Sequence, residues 1–98
     1  MFLDSDDMLM PQAIRVLSNA IKQGDYDIVR SGFVREEDNK SDIIIPFDVG
    51  TVTWRHGKIY KVAYLREKNI RFLPELQTDE DANFNLIAWN CTEHRAQI

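Results

Sequence analysis

No apolar stretch in this chain exceeds four residues, the length of Leu86–Trp89. A bilayer-spanning helix needs about 20, so the apolar side chains here must find cover inside a folded domain. The 98 residues and 11.5 kDa allow one domain with a thin core. Met1–Asp7 carries three aspartates and no basic residue, so no secretory signal is expected. Cys91 is the only cysteine, which excludes an intrachain disulfide and fits a reducing, cytoplasmic setting.

The net charge of −4 hides an uneven distribution. From Arg55 to Arg71 there are six basic residues against Glu67 alone, a local balance of +5. Acids gather instead in Asp4-Ser5-Asp6-Asp7 and in Asp79-Glu80-Asp81. Such a pattern suggests a cation and an anionic ligand meeting on one small domain.

The hydrophobic periodicity implies mixed α and β structure, with two main helices and three or four short strands. Met1-Phe2-Leu3 reads as the end of a buried strand. Pro11 opens a helix on which Ile14, Leu17 and Ile21 recur at helical spacing, and Gly24 is its expected left-handed cap. Tyr26–Val34, Ile43–Ile45, Thr51–Trp54 and Lys58–Tyr60 read as extended, with Glu36–Asp42 as a polar connection. Val62–Lys68 is a brief helix with Asn69 at its C-cap, followed by extended Ile70–Leu73. The last helix spans Glu80 to Asn90, with Phe84, Ile87 and Cys91 on its inner face.

Three short motifs carry chemistry. Phe2-Leu3-Asp4-Ser5-Asp6-Asp7 sets carboxylates at the end of an apolar segment, where open α/β sheets bind ligands. Aspartates two apart supply hard oxygen donors for a divalent cation, although turn chemistry before Pro11 accounts for them equally well. Thr78-Asp79-Glu80-Asp81 offers a general base, but on spacing alone a capping box is the stronger reading. In Trp54-Arg55-His56-Gly57-Lys58-Ile59-Tyr60, Gly57 permits close backbone approach, and Trp54, His56 and Lys58 suit a sugar or a phosphate. A twisted strand with Trp54 in the core explains the same residues. His56 and His94 lack ligand spacing for zinc. Cys91, on an apolar helix face, fits packing better than nucleophilic chemistry.

Taken in order, these motifs with Asn69-Ile70-Arg71-Phe72 and Glu80-Asp81-Ala82-Asn83-Phe84-Asn85 resemble family-2 glycosyltransferases of the GT-A fold. The resemblance extends over nearly the whole chain, and Tyr26-Asp27-Ile28-Val29 is similar to that family's strand after the first helix. It implies a single partial glycosyltransferase domain over residues 1–98, an incomplete GT-A-type fold. The family's nucleoside-binding strands and helices would precede the D-x-D motif.

By the same resemblance, Asp4 and Asp6 match the D-x-D acids that hold Mn2+ or Mg2+, and Asp7 an acid that often follows them. Asp81 matches the catalytic base and Glu80 its neighbour, while Trp54, His56 and Lys58 fall where donor-phosphate or acceptor contacts are expected. The implied reaction is inverting transfer of a sugar from a nucleotide-sugar to a hydroxyl of a glycan or other acceptor. A half-domain of this kind would leave strand edges and apolar surface uncovered, so self-association is expected. The competing readings are a non-catalytic interaction module that retains part of the transferase fold, and a nucleic-acid binder using the Arg55–Arg71 stretch. A pI near 5.0 and few interleaved aromatics weigh against the latter.

Overall fold

The computed structural model describes residues 1–3, 7–35, 43–45, 56–75 and 80–98, of which Arg35 and 43–45 are described by backbone alone. It is a mixed α/β fold. Among these residues the chain forms α1 (Ala13–Gln23), β1 (Ile28–Arg30), β2 (Phe33–Arg35), β3 (Ile43–Ile45) and β4 (Lys58–Tyr60). These are followed by α2 (Val62–Glu67), α3 (Glu80–Asn90) and β5 (Arg95–Gln97). The central sheet has the order β4-β1-β5, with β1 antiparallel to β4 and parallel to β5. Antiparallel β2 and β3 make a separate two-stranded sheet.

Strand alternation divides the central sheet into two unlike faces. Val29 points to the side on which α1 packs, where Leu17 is the buried helix residue. Ile28 and Tyr60, cross-strand partners, point the other way and join Tyr64, Ile70, Phe84 and Ala88 in the main core. Phe2 is wedged into this cluster, its ring 5.6 Å from Tyr60, 5.2 Å from Phe72 and 5.4 Å from Phe84. Phe72 and Phe84 stack at 4.4 Å. The tilted and edge-on pairs match the preferred geometry of aromatic quadrupoles.

Several local expectations are corrected. Met1–Leu3 is not a strand: Phe2 serves as a core plug while Leu3 is exposed. Pro11 and Gln12 form a turn, and the helix begins at Ala13. The left-handed residue after α1 is Asp25 (φ 49°), not Gly24, whose φ is −93°. Gly24 matters for space, since a Cβ there would lie 2.0 Å from the Tyr26 ring. Tyr26–Val34 breaks at Ser31-Gly32 into two strands of different sheets.

Asn69 does take the left-handed conformation (φ 53°) after α2, but Ile70–Leu73 is not a strand and only Ile70 is fully buried. In α3 the buried residues are Phe84, Asn85 and Ala88, while Ile87 and Cys91 are exposed. β5 follows α3 and completes the sheet, an element the sequence reading lacks. The expectations for Glu36–Asp42, Thr51–Trp54 and the Thr78 cap lie outside the described residues.

Candidate functional site

The site is organised around β4. Immediately before this strand, Gly57 adopts φ 70°, and a Cβ there would fall 2.5 Å from the Ser31 carbonyl oxygen. Only glycine allows that approach without strain. The Ser31 amide donates to the Gly57 carbonyl at 2.7 Å, so the turn is fastened to the end of β1. His56 is thereby held against Phe33, with ring centroids 5.1 Å apart.

His56 Nε2 lies 3.2 Å from Asp7 Oδ2. An ionised carboxylate only accepts, so Nε2 carries the proton in this contact. Both side chains are a little over one-third exposed, at 38% and 35%. Two motifs 49 positions apart are thus joined on the solvent side of the turn.

Lys58 is on the same strand face as Tyr60 and opposite Arg30 in register. It is 1% exposed. Burial, reinforced by the Arg30 charge, pulls its ammonium pKa down to about 8. Burial and the neighbouring Arg95 likewise lower Arg30 to about 10.

α3 crosses this face. Its positions 81, 84, 85 and 88 form one helical stripe, so Asp81 shares the sheet-facing side with Phe84, Asn85 and Ala88. The Tyr60 hydroxyl donates to Asn85 Oδ1, and Asn85 Nδ2 donates to the Asp81 carbonyl at 2.9 Å. Asp81 and Glu80 are both half-buried in the first turn, where acids oppose the helix dipole.

The structure therefore gathers Asp7, His56 and Lys58 along β4 and lays the Asp81 face of α3 across the same strand. Trp54, Asp4 and Asp6 lie outside the described residues. Among the described residues, no group of three or more His, Cys, Asp or Glu side chains could hold a metal ion. Asp7 is already engaged by His56, so the fit of a divalent cation depends on Asp4 and Asp6, whose carboxylates are the hard donors such a cation takes.

Sequence reasoning missed Arg30 and Asn85. Arg30 follows an apolar strand and reads as a solvated strand end, and Asn85 interrupts the apolar pattern of α3. The signal for Asn85 is its position on the stripe with Asp81 and Phe84. A cleft of about 320 Å³ on the other side of α2 is lined by Asp27, Tyr64, Glu67, Thr92 and His94, among others. Its described polar groups bond one another, Thr92 Oγ1 donating to Asp27 at 2.6 Å and the His94 amide to Thr92 at 2.9 Å. No helix among the described residues is long and apolar enough to cross a membrane.

No family model, curated protein or solved structure matches this chain.

Proposed function

We propose that this chain supplies the acceptor-side elements of an inverting, metal-dependent glycosyltransferase that moves a sugar from a nucleotide-sugar to a hydroxyl acceptor. The observation that carries the reading is the convergence of three sequence-distant motifs on β4. Asp7 reaches His56 at 3.2 Å, Lys58 is buried two residues further on, and α3 turns its Asp81 stripe to the same strand face. The two residues that bracket the paired aspartates in sequence also bracket Lys58 in space. Phe2 contacts Tyr60 and Asp7 contacts His56.

In this reading Asp81 is the base that takes the proton from the acceptor hydroxyl, whose oxygen then attacks the sugar C1 as the nucleoside diphosphate departs. Glu80 sits beside it in the same helical turn. Asp4 and Asp6, with Asp7 after them, would hold Mn2+ or Mg2+, which when bound neutralises charge on the leaving diphosphate. Asp7 would act through His56, fixing the segment to β4. His56, Lys58 and Trp54 flank the position for donor phosphate or acceptor. The single cysteine is consistent with a cytoplasmic setting.

Substoichiometric Mn2+ added to the full chain should selectively broaden the amide resonances of Asp7 and His56, and Asp6→Asn should abolish that effect. Uniform broadening, or equal broadening in the variant, would overturn the metal-dependent transferase reading. A non-catalytic interaction module is favoured by one observation, the exposure of Met8 (90%), Met10 (64%) and Ile14 (51%) near the start of the chain. Exposed apolar surface of this kind also supports self-association, which sedimentation at micromolar concentration would detect.

A further inference from the structure

The α3-facing side of the sheet carries more positive charge than packing requires. Lys58 on β4, Arg30 on β1 and Arg95 on β5 project from three adjacent strands onto one face. Adjacent strands are about 4.8 Å apart, so the row is about 10 Å wide. Arg30 ends β1 directly opposite Gln97, which ends β5, and the Arg30 guanidinium donates to Gln97 Oε1 at 3.4 Å. These are the carboxyl ends of the parallel pair, where ligands bind in α/β sheets.

Trp89 of α3 serves both arginines. The Arg30 guanidinium carbon is 3.4 Å from the indole centroid and that of Arg95 is 4.7 Å away. Arg95 Nη1 also donates to the Trp89 carbonyl at 2.6 Å. Stacking uses the flat face of a guanidinium, whereas oxyanions are gripped by its N–H edge. One ring therefore fixes two like charges side by side, and their mutual repulsion is a cost that a bound anion would relieve.

We propose that Arg30 and Arg95, held on Trp89 with Lys58 behind them, bind an oxyanion carried by the acceptor, so that the preferred acceptors bear a phosphate monoester or a carboxylate. The word acceptor rests on the transferase reading, but the anion site itself does not.

The test is a titration of the full chain with glycerol 1-phosphate, with glycerol and with pyrophosphate, against potassium chloride at matched ionic strength. The arginine Nε–H and Trp89 indole resonances report binding. Glycerol 1-phosphate should give saturable shifts that neither glycerol nor chloride reproduces. Affinity should fall about tenfold in Arg95→Gln, an exposed position whose loss leaves the core intact, as expected for one charge-assisted contact. Arg30→Lys should lose a similar factor while circular dichroism stays native.

Shifts matching those of chloride, or unchanged affinity in Arg95→Gln, would overturn the site. Saturable binding of pyrophosphate without binding of glycerol 1-phosphate would overturn the acceptor assignment. It would place a diphosphate there instead. None of these results depends on transfer activity or on manganese, so failure here is distinguishable from failure of the transferase reading.

Discussion

The two faces of the central sheet follow different rules. The side toward α1 is closed by Val29 and Leu17, with no buried polar residue named on it. The side toward α3 holds an aromatic cluster and, within the same layer, the two buried polar residues of the described chain, Lys58 and Asn85. Burying an ammonium costs far more than burying a leucine. A fold that needed only stability would place Lys58 at the rim. The difference between the faces locates the chemistry on the α3 side.

The sharpest way to break this comparison is to remove the aromatic support. Phe84→Ala would leave a void beneath Phe2, Tyr60 and Phe72 and should lower unfolding free energy by about 3–5 kcal/mol. Leu17→Ala on the opposite face should cost about 2–5 kcal/mol, the usual range for a buried leucine. Urea denaturation of both measures the contrast. A far larger loss for Leu17→Ala would reverse the assignment of the main core.

The next effect is electrostatic. Lys58 titrates near 8 in the fold and near 10.5 when unfolded. Between those values the unfolded chain binds more protons, so stability rises with pH across that window. The penalty is fully present below about pH 8 and relieved toward 10.5. It amounts to a gain on the order of 3 kcal/mol, which Lys58→Met should abolish. Tyr64 works in the opposite direction. Burial raises its phenol to about 12, so the folded state loses stability as pH climbs from 10 to 12. Comparing wild type with Lys58→Met from pH 7.5 to 10 isolates the lysine. Parallel curves would show that its amine is not desolvated.

Much of this was legible in the sequence, and what was not has physical causes. The final helix is bounded as periodicity suggests, and Asn69 takes the left-handed turn its side chain tolerates. Asn85 was hidden because a buried amide looks like a surface residue until its partner, the Tyr60 hydroxyl, is known. Arg30 was hidden for the same reason, since its cover is an indole 59 positions away. β5 is Arg-Ala-Gln, a strand with no apolar signature, held by pairing with β1 and not by burial. The Asp7–His56 contact joins two motifs identified one at a time, and no spacing rule links positions so far apart.

A smaller loss should come from the turn that sets His56. Gly57→Ala forces a Cβ against the Ser31 carbonyl at a φ of 70° and should cost about 1–3 kcal/mol. His56 should leave Phe33 at the same time, seen as a change in their mutual ring-current shifts. An alanine variant as stable as wild type would mean that the turn is not constrained by Ser31.

The smallest expected stability effect belongs to the contact nearest the proposed chemistry. The Asp7–His56 pair is more than one-third exposed on each side, so solvent screens it, and Asp7→Asn should cost no more than about 1 kcal/mol. If the pair only decorates the surface, that small loss is its whole effect. If it fastens the aspartate segment to β4, the same variant should leave the melting curve nearly unchanged while weakening manganese binding about tenfold, as removal of supporting contacts at metal sites does. His56→Gln, which keeps a hydrogen-bond donor, should retain more of the manganese affinity than His56→Phe. Equal affinity in wild type, Asp7→Asn and His56→Phe would show that the contact positions nothing. A large stability loss in Asp7→Asn would instead move the pair from the site into the fold, and the two faces of the sheet would differ less than their side chains suggest.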